Sequence, residues 1–167
     1  MLIRSEGPND QVGVHAVNAS AFETPAEANL VDLLRKAVYP VISLVAEDDG
    51  VIVGHILFSP VSLTGHIDLK IMGLGPIAVA PEHQRKGIGS ALVKAGLERC
   101  KELSFGAVIV LGHSGYYPRF GFTPSSSYGI ICEYEVPQEA FMVLELVPGY
   151  LQGATGIIKY HAAFDGV

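Results

Sequence analysis

Tryptophan is absent from the 167-residue chain, and charged residues make up only 17% of it. With about half its residues apolar, such a chain is neither a disordered polymer nor a coiled coil; it can bury one substantial core without disulfides or a metal. Cysteine is scarce. Cys100 and Cys132 stand alone with no Cys-x-x-Cys, which argues against a disulfide framework or a zinc knuckle and leaves a reduced, cytoplasmic setting as the expectation. Long apolar runs are missing as well. Pro40 and Ser43 interrupt Val38 to Ala46, and Gly75 and Pro76 interrupt Ile71 to Ala80, so neither run nears the roughly 18 residues of a spanning helix. The opening Met1-Leu2-Ile3-Arg4-Ser5-Glu6 has no basic flank leading into an apolar segment, so no signal peptide is expected. There is no basic run, and the formal net charge is -6, which disfavours nucleic acid as a partner.

What is present reads as a single domain over residues 1–167, without repeats or a polar linker. Leu2 to Ser5 suits a short strand, and Pro8 opens a helical stretch to about Ala21. Thr24-Pro25-Ala26-Glu27 has the spacing of a capping box with proline at the first helical position; Leu30, Leu33, Leu34 and Ala37 follow at helical spacing until Pro40. Val41 to Glu47 and Val51 to Val61 are β-branched strands joined by a hairpin turn at Asp48-Asp49-Gly50. Asp68 to Ala80 reads as a further strand, with Gly73, Gly75 and Pro76 suggesting a bulge or splay. Gly87 to about Leu103 is the clearest helix, and Ala107 to Leu111 a central strand buried on both faces. A short helix at Tyr116 to Phe120 and strands at Phe141 to Val147 and Gly156 to Phe164 complete the order. The fold class is α/β, a splayed mixed sheet with helices on both faces rather than a doubly wound one.

The most informative stretch runs from Ile77 to Leu92. A strand ends at Pro81, a polar turn follows, and a helix starts near Gly87. Amides at a helix start lack intrahelical acceptors, and the helix dipole favours an anion there. Gly87 and Gly89 let a phosphate approach the main chain, and Arg85 and Lys86 add positive charge. The Walker pattern is absent, and a dinucleotide turn would want glycine where Leu92 stands. A serine-hydrolase elbow would need glycine at position 116, which is Tyr116, two residues after Ser114.

Gln84-x-x-Gly87-x-Gly89 between a strand and a helix resembles the signature of the GNAT superfamily of N-acetyltransferases. Tyr117-x-x-x-Gly121-Phe122 resembles its second hallmark. The resemblance implies an acyl-CoA N-acyltransferase fold and acetyl-CoA as co-substrate, with no metal. It assigns the pyrophosphate to Gln84, Arg85, Lys86, Gly87, Ile88, Gly89 and Ser90, and the pantetheine arm to Ile77, Ala78 and Val79. It sets Tyr117 near the sulfur, where a phenol can protonate a leaving thiolate. An oxyanion would meet main-chain N–H near Val79. Many members carry an asparagine after the central strand, where this chain has Gly112-His113-Ser114. Some use a glutamate on the fourth strand as base; the matching Met72-Gly73-Leu74 has no carboxylate. His113 follows the central strand and is the catalytic candidate for that task, with His55, Asp68, Glu82 and Glu27 as others and a water chain as the residue-free option. The resemblance implies direct transfer to a primary amine of a small molecule or peptide. Acceptor contacts would come from Phe22 to Asn29 and Gly65 to Leu69, and the C-terminal strands could make a homodimer contact. The alternative is a catalytically weak coenzyme A-binding sensor or assembly module on the same fold.

Overall fold

A computed structural model describes all residues, 1–167. The elements in chain order are β1 (Leu2–Ser5), α1 (Gln11–Ala21), α2 (Ala26–Ala37), β2 (Ile42–Asp48), β3 (Val51–Leu63), β4 (Ile71–Val79), α3 (Ile88–Glu102), β5 (Ala107–Leu111), β6 (Thr123–Pro124), β7 (Ile130–Cys132), β8 (Phe141–Glu145) and β9 (Gly156–Lys159). The strands form one open, mixed sheet in the order β1-β2-β3-β4-β5-β8-β6, with β9 paired to both β3 and β7. Most pairs are antiparallel; β4–β5 and β7–β9 are parallel. No helix is long and apolar enough to cross a membrane.

The chain divides into two compact units. The first holds Met1–Ser59, Gly75–Arg99 and Ala162–Val167; the second holds Pro60–Leu74 and Cys100–His161. In the first, the β2–β3 hairpin turns on Asp49 (φ 50°) and Gly50 (φ 77°), two consecutive left-handed residues that match the twist of the flanking strands. Strand alternation then sorts the side chains. Val45 and Leu57 join Val14 of α1 and Leu30, Val31 and Leu34 of α2 in one cluster. Ala46, Gly54 and Phe58 have the opposite parity and meet α3, so helices cover both faces of this part of the sheet. Two glycines set how closely α3 lies. A Cβ on Gly54 would stand 3.0 Å from Ile88 and 3.1 Å from Leu92, and one on Gly96 would stand 2.1 Å from the Phe58 ring. Phe58 and Leu92 are fully buried, each side chain contributing about 2–3 kcal/mol of burial that holds the start of α3 in place.

The second unit packs Val61, Leu63, Ile71, Ile109, Phe141, Val143 and Ile158 into its own core. As expected, β5 is buried along Ala107–Val110; β4 pairs with one of its edges and β8 with the other.

Several boundaries differ from expectation. β4 begins at Ile71, because Asp68 and Leu69 are taken up in a turn closed by Leu69 N–H to His66, and the Lys70 amide donates to the Tyr150 hydroxyl. The C-terminal strand stops at Lys159, paired to Ser62 of β3 just past the point where β7 ends, and Ala162–Gly166 forms a 3-10 turn. β3 extends to Leu63, since Ser62 and Leu63 find partners on β9. The capping box does not form. Thr24 Oγ1 accepts the Ala26 amide at 3.3 Å, but one carboxylate oxygen of Glu27 is buried without a hydrogen-bond partner.

Candidate active site

The first unit carries the phosphate-type turn. Pro81–His83 make a single 3-10 turn after β4, closed by His83 N–H to Ala80 at 2.8 Å. Arg85 (φ 64°) and Gly87 (φ 84°) are both left-handed, with Lys86 of ordinary negative φ between them. That alternation bends successive amides toward one concave side, the geometry of an anion nest. Gly87 needs its freedom for this φ; Arg85 adopts it at a cost of about 1–2 kcal/mol, held by the structure around it. The first intrahelical bond runs from Ala91 N–H to the Gly87 carbonyl, so the amides of Ile88 and Gly89 lie ahead of the helical ladder. Gln84 to Gly87 are exposed and Gly89 and Ser90 half-buried. Ile88 turns its side chain inward against Gly54, which leaves its amide as its contribution to the turn. The Gln84 side chain donates Nε2–H to the Val79 carbonyl at 3.1 Å, tying the turn to the end of β4.

Beside the turn, β4 loses a partner. Its pairing with β5 covers Ile71 to Leu74 and ends there. Gly75 then takes φ 142°, and Pro76 offers no N–H. The Ala80 amide donates to Val53 of β3 at 2.9 Å. By strand alternation the amides of Ile77 and Val79 point to the opposite edge, where they are unclaimed by a strand. The expected splay is therefore present, and the two glycines that suggested it differ in kind. Gly75 is required for its φ; Gly73 is required for space, since a Cβ there would stand 3.0 Å from Val61.

The second unit carries the tyrosine. Tyr117 opens a 3-10 turn (Tyr117–Phe120) that ends on Gly121 at φ 101°. Its ring sits edge-on to Tyr116 (5.1 Å between centroids) and Phe122 (5.8 Å) and lies 6.3 Å from Phe120. It also lies flush on Gly112, where a Cβ would stand 2.4 Å from Cε2. Burial, with Tyr116 adding to it, pushes the phenol up to about 12. Tyr117 therefore holds its proton at neutral pH.

The other candidates fall where they can do less. His113 is exposed at the end of β5, and its carbonyl accepts the amides of Tyr116 (3.0 Å) and Tyr117 (3.4 Å), which shapes the turn. His55 is fully buried. Asn18 Nδ2 meets its Nδ1 at 3.0 Å and Ser43 Oγ its Nε2 at 2.8 Å. Ser43 donates its proton to Glu6, so it accepts from Nε2–H and fixes the tautomer. Burial, reinforced by the Arg35 charge, lowers His55 to about 3, so it is a neutral core group and unsuited to take a proton. Asp68 and Glu82 are exposed. Sequence reasoning did not foresee Gly112 as the seat of Tyr117. The signal available was the small residue directly after β5, five positions before Tyr117.

With this geometry in hand, comparison with known proteins defines the class. The sequence model of the acetyltransferase (GNAT) family matches residues 14–122. The chain is 38% identical over 166 residues, covering 99% of each chain, to the N-acetyltransferase YhbS of Escherichia coli K12. The crystal structure of the E. coli YhbS protein in complex with CoA superposes with TM-score 0.92 at 37% identity, over 98% of this chain and 91% of that one. A GNAT family acetyltransferase from Brucella melitensis in complex with acetyl-CoA gives TM-score 0.80 at 36% identity, over 98% and 97%. The chain belongs to the GNAT family.

Proposed function

We propose that the whole chain acts as one catalytic domain, an N-acetyltransferase that moves an acetyl group from acetyl-CoA to a primary amine by direct transfer. The observation that carries this reading is the nest of amides at the start of α3, next to the unpaired β4 edge. Two relatives with over 35% identity hold CoA or acetyl-CoA in their structures. In this reading Gln84 to Ser90 receive the pyrophosphate: amides from Lys86 to Gly89 donate to it, and Arg85 and Lys86 add charge. The role of Gln84 is to lock the turn, because its side chain is spent on Val79. Ile77 and Val79 pair with the amide-bearing arm as a neighbouring strand would.

The chemistry then divides among few groups. The amine nitrogen attacks the acetyl carbonyl, and a main-chain N–H near Val79 on the open edge meets the developing oxyanion. Tyr117 gives its proton to the departing thiolate; a phenol raised to about 12 is a poor acid toward solvent and delivers that proton only as negative charge builds on sulfur. His113 takes the proton lost by the ammonium. Neither cysteine is needed as a nucleophile: burial pushes Cys100 up to about 12 and also raises Cys132. Calorimetry with acetyl-CoA is the first test, and absence of binding to the acetylated or free thiol would end this reading. Tyr117→Phe should lower kcat by about 10²-fold with acetyl-CoA affinity nearly intact.

A further inference from the structure

One cluster in the second unit has no part in this scheme. Glu133, just past β7, is anchored at both ends: its amide donates to Ile158 at 3.2 Å, and its Oε2 accepts the Tyr160 amide at 2.5 Å. Tyr134 lies against Tyr160 with ring centroids 5.6 Å apart and 33° between planes. Tyr160 reaches β4 as well, since its Cε2 lies 3.5 Å from where a Cβ on Gly73 would be. Val61 and Ile109 close around the same point, at 3.0 and 3.5 Å. Gly73 belongs to the β4 segment Met72-Gly73-Leu74, which carries no carboxylate. The Tyr160 ring, from 87 positions further along, is in ordinary contact with that point. Burial, then the neighbouring Cys132, Tyr134 and Glu133, raise the Tyr160 phenol well above its ordinary range, which keeps it neutral. Glu133, Tyr134 and Tyr160 are all half-buried, so each still presents surface to solvent. A carboxylate fixed beside two aromatic rings is the chemistry that recognises an ammonium on a carbon body, through charge at the nitrogen and ring contact along the stem.

We propose that Glu133 and the Tyr134–Tyr160 pair recognise the acceptor, selecting a cationic primary amine carried on an apolar or aromatic body; this rests on the acetyltransferase reading above. The carboxylate orients the ammonium and the rings take the body. Polyhydroxylated amines lose the second contribution.

The test uses the full chain, acetyl-CoA and four amines: 2-phenylethylamine, n-hexylamine, ethanolamine and glucosamine, followed by thiol release. The expected order places the first two well ahead of the last two. Glu133→Gln and Tyr134→Leu should each raise KM for 2-phenylethylamine by about 10-fold. KM for acetyl-CoA should stay unchanged, and the preference over ethanolamine should shrink in Tyr134→Leu. Tyr160→Phe, which keeps the packing, should hold most of that preference. Calorimetry with acetyl-CoA separates the two levels. If acetyl-CoA does not bind, the acetyltransferase reading itself fails. If it binds but glucosamine or ethanolamine is preferred, or no amine of the four is acetylated, the recognition site is overturned. The same holds if both variants keep the wild-type amine KM and selectivity.

Discussion

Replacing Gly112 with alanine tests whether the position of the Tyr117 ring matters for turnover. The added methyl carbon would stand 2.4 Å from Cε2, 3.0 Å from Cδ2 and 3.4 Å from Cζ of Tyr117. Ordinary carbon contacts lie near about 3.5–4.0 Å, so the ring must withdraw by about 1 Å. It cannot swing freely, because Tyr116 and Phe122 hold it edge-on at 5.1 and 5.8 Å. Overpacking of this kind costs about 1–3 kcal/mol of stability. A reacting group misplaced by about 1 Å loses up to about 10²-fold in rate. Gly112→Ala should therefore lower kcat by about 10- to 100-fold while acetyl-CoA affinity, measured by calorimetry, is little changed. Thiol release with an accepted amine reads the rate, and the Tyr117→Phe background supplies the control. Once the hydroxyl is gone its position has no catalytic consequence, so Gly112→Ala should add little further loss. A wild-type kcat in Gly112→Ala would refute the reasoning. So would an equal loss in both backgrounds, since the effect would then not run through the phenol.

Three other outcomes follow from the geometry. Gly87→Ala meets no neighbouring atom, so its whole effect is the backbone cost of φ 84°, about 1–2 kcal/mol; calorimetry should show acetyl-CoA affinity reduced by about 10-fold, and unchanged affinity would remove the left-handed turn from the binding scheme. Gly96→Ala forces a carbon to 2.1 Å from the Phe58 ring and should cost about 1–3 kcal/mol, seen as a melting temperature lowered by several degrees; an unshifted melting curve would mean α3 is not held by this contact. His55, lowered from 6.5 to about 3, stays neutral when folded but binds a proton when unfolded. Its contribution is fully retained above pH 6.5, and stability falls as pH drops from there toward 3, by up to about 1.4 kcal/mol per unit. Urea midpoints at pH 7 and 5 should show that loss, and His55→Gln should flatten it; an equal slope in both proteins would contradict a buried neutral histidine.

What could be read from residues alone is what short-range forces decide. Asp48-Asp49-Gly50 specified a hairpin because few residues besides glycine enter the left-handed region cheaply. Gln84 to Gly89 marked the helix start because amides there have no partners within their own turn. The long apolar periodicity of α3 and the β-branched run of β5 came through for the same reason. The two short strands β6 and β7, of two and three residues, carry too little local signal and exist because β8 and β9 pair with them.

The tertiary structure alone decided which spacing matches were real and which polar groups met. Thr24 to Glu27 had a capping-box sequence, yet Glu27 does not bond back. His55 became an inert core group because Asn18, 37 positions earlier, and Ser43, 12 earlier, converge on its ring. Gly73 and Gly112 look alike in the sequence, but a Cβ on one would crowd Val61 and a Cβ on the other would collide with the Tyr117 ring. Local propensity acts over a few residues of backbone; closeness between distant side chains exists only after the chain has paid its entropy and packed, and no spacing along the sequence encodes it.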